Sequence, residues 1–144
     1  MIRFDKFTLK AQEALQAARA HAEERQHPQV QPEHLLWALV EQKDGVVLPI
    51  LQKLGADIPA LAESLASSVG NLARLESRVE AQISQSLGRI LDASLTAADH
   101  FKDQYVSTEH ILIAMSAAKG EEVARLLSTS GVTRDAILKV LVSI

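Results

Sequence analysis

The chain has 144 residues, enough for one domain with a real core or for two small halves sharing one. Almost half of them are apolar (47%), and a net charge of -3 leaves no basic footprint for nucleic acid. The absence of cysteine excludes a disulfide framework and a thiol nucleophile, and no apolar run approaches the ~20 residues that cross a bilayer.

The opening, MIRFDKFTLK, lacks the apolar centre of a signal peptide, so a cytoplasmic address is the default expectation. Apolar spacing is helical from end to end, and alternating strand patterns are absent. Thr8 caps a first helix with an inner stripe of Ala11, Ala14, Leu15, Ala18 and Ala22. The loop HPQVQP ends it, because Pro28 and Pro32 cannot continue an interior hydrogen-bond ladder. Pro32 suits the first turn of a second helix that runs to about Gln42. A short third helix has Pro49 in or near its opening turn and stops at Gly55, and Asp57 caps a fourth carrying Leu61 and Leu65. After GNLARLESRVEAQ, a polar linker, Ser84 caps a fifth helix whose inner face reads Leu87, Ile90, Leu91, Ser94, Ala98 and Phe101. Ser107 caps the sixth, the seventh covers roughly Glu121 to Ser128, and Thr133 caps the eighth.

The second four helices rewrite the first four. QPEHLLWALV from Gln31 and STEHILIAMS from Ser107 share a pattern, and a shift of about 76 residues carries it across most of the chain without a gap. Leu15 falls on Leu91, Leu36 on Leu112, Leu51 on Leu127 and Gly55 on Gly131. The fold expected is all-α, a single domain over 1–144 made of two pseudo-symmetric four-helix repeats. Repeat one covers about 8–68, the linker about 69–83 and repeat two about 84–144. A half of that size buries too little surface alone, so the two are expected to share a core.

Chemistry is sparse. The Glu33-His34 and Glu109-His110 pairs suggest acid–base work, but adjacent helical residues point about 100° apart. Near a helix N-terminus each carboxylate is better read as a capping charge, worth ~0.3–1 kcal/mol. The pattern EHLLWAL is not the HExxH of a zinc helix, and His21, His27 and His100 have no ligand spacing, so no metal is expected. GxSxG and GxxxxGK[ST] are both missing, which points to no catalytic serine and no phosphate cofactor. One asymmetry stands out. Gln12, Glu13, Gln16 and Arg19 of the first helix correspond to Gly88, Arg89, Asp92 and Leu95 of the fifth, where Ala93 and Ala97 add small apolar surface. Such a patch marks a partner groove or a contact with the first half or the linker.

DKFTLKAQEAL, PEHLLWALVEQKDG and KDQYVSTEHILIAM resemble the duplicated N-terminal domain of Clp chaperones over essentially the whole chain. The details favour the ClpB-type protein disaggregases, with the ClpC-type unfoldases as the near competitor. The resemblance implies a non-catalytic, monomeric substrate-recognition module without cofactor, binding unfolded or aggregated protein clients. In full-length relatives it precedes two ATPase modules and a coiled-coil middle domain, in a homohexamer that works with a DnaK-type chaperone. A ClpC-type domain would instead dock adaptors, and a flexibly attached spacer is the plainer alternative. Neither nucleic acid nor membrane is an expected partner. Carried over by resemblance, Thr8 matches the Thr of the KFT opening, Ser84 the Ser before helix five, and Asp103 and Glu109 acidic positions tied to chaperone function. Ala93, Ala97 and His110 fall where some relatives line a groove with larger apolar side chains, and Tyr105 would add an aromatic wall. The contact face expected is Leu95, Ala97, Tyr105 and His110, rimmed by Asp103 and Glu109.

Overall fold

The computed structural model describes residues 3–143, and eight α-helices lie within them. α1 (Leu9–Glu24) starts where Thr8 turns its Oγ1 back to accept the Ala11 N–H at 3.2 Å. α5 (Gln85–His100) starts the same way, with Ser84 Oγ accepting the Leu87 N–H at 3.0 Å. Caps of this kind are worth ~1 kcal/mol each. Both helices close on a left-handed residue, Gln26 (φ 61°) and Lys102 (φ 60°). The following amides of His27 and Asp103 then reach back to the carbonyls of Ala22 and Ala98, each at 2.9 Å.

α2 (Pro32–Glu41), α3 (Val47–Lys53) and α4 (Ile58–Gly70) complete the first group, and α6 (Thr108–Ser116), α7 (Glu122–Thr129) and α8 (Arg134–Ser143) the second. Gly55 and Gly131 (φ 73° and 80°) terminate α3 and α7, a conformation that favours glycine. Asp57 and Thr133 cap the helices that follow, accepting from the Ala60 and Ala136 amides. The same devices thus recur at the positions the repeat relates. α4 continues through Gly70, so the connecting segment begins slightly later than expected.

Two short parallel pairings accompany the helices. β1 (Gln29–Val30) pairs with β2 (Gln82–Ile83), and Phe7 forms a bridge with Val106. The segment leading into α5 therefore lies beside the loop before α2, and the segment leading into α1 lies beside the loop before α6. The two halves are cross-stitched by bonds such as Ser84 N–H to Val30 O (3.1 Å) and Thr8 N–H to Val106 O (2.9 Å). Pairings two residues long or shorter cannot write an alternating pattern, so periodicity has nothing to detect.

Burial follows the helical stripes into one continuous core. Leu15, Leu36, Leu51, Leu91, Leu112 and Leu127 all lie in it, and α2 and α6 contact each other and helices of the opposite group. Phe101 departs from the inner face assigned to it and is 41% exposed. α5 stops at His100, and the left-handed turn at Lys102 swings the chain away, leaving the Phe101 ring edge-on to His100 with centroids 5.3 Å apart.

Candidate functional site

Along α5 and α6 the helices carry small side chains where a filled interface needs large ones. Ala93 and Ala97 on α5 face Ala114 and, just beyond α6, Ala117 and Ala118. With nothing to interdigitate, an open groove of about 470 Å³ remains. Its floor is Ile90, Ile113 and the alanines, one end is the exposed Phe101 ring, and Arg89, Lys119, Glu121 and Arg134 stand on its margins. Clefts of this size, apolar with few polar groups, are the usual shape of binding sites.

The corresponding space between α1 and α2 is filled. Ile113 corresponds to Trp37, Ala97 to His21, Phe101 to Arg25 and Ala117 to Glu41. The His21 ring stacks on the Trp37 indole at 4.6 Å and 10°, and the Arg25 guanidinium lies over the same indole at 4.7 Å. Glu41 Oε1 closes the cluster at 2.7 Å from His21 Nε2. Four substitutions from large to small, or from polar to apolar, separate a plugged interface from an open groove. Those exchanges across the repeat were the sequence signal for the groove, and weighing α1 against α5 alone missed most of it.

The Glu-His pairs do structural work, and the working member is the histidine. His34 Nδ1 accepts the N–H of Gln31, and His110 Nδ1 accepts that of Ser107, each at 2.9 Å. The third helical residue thus satisfies the amide that the capping residue would otherwise leave bare, a histidine version of the capping box. This corrects the assignment of that role to the glutamates. Glu33 and Glu109 do sit in the first turns of α2 and α6. Burial pushes the Glu33 carboxyl up, and nearby Glu121 and Glu122 add repulsion.

Since Nδ1 accepts, the proton of each imidazole sits on Nε2. His34 Nε2–H donates to His27 Nδ1 at 2.9 Å, and His110 Nε2–H donates to Asp103 Oδ2 at 2.8 Å. His27 and Asp103 are themselves repeat partners, so one frame holds a neutral acceptor in one half and a carboxylate in the other. Burial is the main reason His34 is pushed down to about 4, with His27, His21 and Arg25 adding positive potential.

The expected contact residues are not gathered together. Ala93 and Ala97 line the groove, whereas Leu95 and Asp103 line a separate shallow cleft with Lys6 and Val106. Tyr105 is exposed outside the groove lining, and Glu109 is half-buried in α6. His110 is only 3% exposed and offers no contact surface. Thr8 and Ser84 are engaged as caps. The residues missed are Ile90, Phe101, Ile113 and Ala114 on the apolar side and Arg89, Lys119 and Arg134 on the rim. Among the described residues no three His, Cys, Asp or Glu side chains are grouped to hold a metal, and no helix is long and apolar enough to cross a membrane.

Fold and groove together define an all-helical scaffold, internally duplicated in sequence, with an open apolar cleft along its second half. Over residues 6–130 the chain matches the Clp repeat (R) N-terminal domain, and it belongs to that family. It is 37% identical over 136 residues to the chaperone protein ClpB of Rhodopirellula baltica, covering 94% of this chain. The chain spans about 15% of that relative's length. The N-terminal domain of the ClpV1 ATPase from E. coli EAEC has the same fold, with TM-score 0.82 and 21% identity over 95% of this chain and 84% of its own. A ClpV N-domain in complex with a VipB peptide superposes with TM-score 0.76 and 21% identity, covering 92% of this chain and 82% of that one.

Proposed function

We propose that this domain is the client-capture module of an ATP-dependent ClpB-type disaggregase. It binds exposed apolar segments of unfolded or aggregated proteins and passes them to a hexameric AAA+ motor acting with a DnaK-type chaperone. The observation that carries this reading is the open α5–α6 groove, set beside its plugged counterpart at Trp37. Support also comes from the likeness to ClpB and from a ClpV N-domain of the same fold that takes a peptide.

A groove with room for one or two large apolar side chains gains ~1.5–3 kcal/mol from each. Association cancels much of this, which leaves contact of about millimolar strength or weaker and little dependence on client sequence. Weak contact suits hand-off to a motor, and several domains on one hexamer raise the effective avidity. Ala93 and Ala97 form the contact floor with Ile113 and Phe101. Leu95 and Tyr105 meet a client only where it runs past the groove. Thr8, Ser84 and His110 act through the fold, and Asp103 acts through His110.

Amide chemical shifts recorded while a soluble, permanently unfolded protein is added test this, with a folded protein as control. Saturating changes along α5 and α6, lost in Ala93→Trp, are the result expected. No response at high client concentration, or changes confined to α1–α4, would reject client capture and leave adaptor docking or a spacer role.

A further inference from the structure

The groove's rim is charged in one sense. Arg89 on α5, Lys119 before α7 and Arg134 at the start of α8 are exposed and line it, against one carboxylate, Glu121. None of the three cations forms an ion pair among the described residues, and Arg89 makes only a long 3.4 Å hydrogen bond to Ser86 Oγ. The chain as a whole carries -3, so this local excess runs against its overall sign. On the plugged side the position equivalent to Arg89 is Glu13, which is already paired with Lys10 at 3.4 Å. The position equivalent to Lys119 is itself a lysine, Lys43, and that of Arg134 is Ile58, so Arg89 and Arg134 are what set the open groove's charge apart.

We propose that the groove selects apolar client segments flanked by acidic residues, a deepening that rests on the capture reading above. Apolar side chains fill the floor over Ala93, Ala97 and Ile113. Aspartate or glutamate beside them meets Arg89, Lys119 and Arg134, and a lysine-flanked segment meets like charge. Exposed pairs are individually weak, about fivefold or less in affinity. Their effect is in discrimination, because attraction for one sign and repulsion for the other add.

Three peptides sharing one apolar centre, flanked by Glu, Ser or Lys, test the proposal by fluorescence anisotropy at low salt, with amide shifts locating each site. The Glu-flanked peptide binds about tenfold more tightly than the Lys-flanked one, with the Ser-flanked peptide between. The gap closes at about 1 M salt, where the screening length is ~3 Å. Arg89→Glu, Lys119→Glu and Arg134→Glu combined inverts the order, while thermal unfolding confirms that this surface-altered protein still folds. A Glu-rich peptide without apolar residues binds far more weakly than the Glu-flanked one. Equal affinities, an order insensitive to salt, or an acidic peptide binding without its apolar centre would overturn the charge selection. If all three apolar peptides shift α5 and α6 equally, capture stands and selection falls. If none does, both fall.

Discussion

Lowering the pH from 7 to 5 costs the folded domain about 2 kcal/mol through His34 alone. Buried against His27, His34 is held down to about 4 from an ordinary 6.5. A gap of about 2.5 units corresponds to ~3.4 kcal/mol at 1.36 kcal/mol per unit. The folded state favours the neutral ring, so this stability is intact above the ordinary histidine range. It drains as pH falls below 6.5 and is fully lost near 4. By pH 5 roughly 2 kcal/mol has gone, or about 4–8 °C in Tm. His27 is pushed down by its own burial, with Arg25 and Arg74 adding to it, and works in the same direction. Glu33, raised by burial, works oppositely, since its protonation on acidification favours the fold. The clean readout is therefore a difference between two proteins. His27→Asp installs the carboxylate acceptor that Asp103 already gives His110, which lessens the cost of charging His34, although the cation still forfeits the bond from the Gln31 amide. Urea denaturation from pH 7.5 to 5 should show a loss in the natural chain that is smaller in His27→Asp. Parallel pH curves for the two proteins would refute the buried, neutral histidine pair.

Trp37→Ala removes the stacked plug and should cost about 2 kcal/mol, below the 3–5 of a full core deletion because the indole is only partly buried. With His21→Ala, Arg25→Phe and Glu41→Ala added, so that the lining is no longer polar, it should also create a second apolar cleft, seen as new peptide-induced shifts along α1 and α2; shifts unchanged from the natural chain would refute the plug. Asp103→Ala leaves the buried His110 Nε2–H without its partner and should lower stability by ~1–3 kcal/mol. Client affinity, corrected for the folded fraction, should be unaltered, and a loss of binding by fully folded protein would put Asp103 back on the contact face. Residues 84–144 alone should give no cooperative melt by circular dichroism, since Ile83 pairs with Val30 and Val106 with Phe7; a sharp transition would contradict a shared core.

Much of the fold was legible because its decisions are local. Thr8, Ser84, Asp57 and Thr133 announce helix starts by supplying an oxygen to a bare amide within a few positions. Gly55 and Gly131 announce ends by permitting a positive φ. The stripe Ala11, Ala14, Leu15, Ala18, Ala22 is buried as the helical period requires. Phe101 failed for a related reason. The period places it on the inner face only while the helix lasts, and a non-glycine left-handed turn at Lys102 gave no warning of the end. The glutamates at Glu33 and Glu109 were read by their charge. Which of two neighbours turns back to the capping amide depends on side-chain reach, and His34 and His110 have it.

The sequence by itself determined eight helices, the caps at Thr8, Asp57, Ser84 and Thr133, the duplication and the leucines that meet in the middle. Each of these depends on residues a few positions apart or on a self-alignment. The tertiary structure decided the cross-stitching of Phe7 to Val106 and Val30 to Ile83, since so short a pairing has no pattern of its own. It also decided the groove, which is made of what is missing. Ala93 and Ala97 look like ordinary small helical residues until α6 is set against them with Ile113 and Ala117 where the other half keeps Trp37 and Glu41. Empty volume belongs to no single residue, because it arises only when two surfaces meet without filling each other.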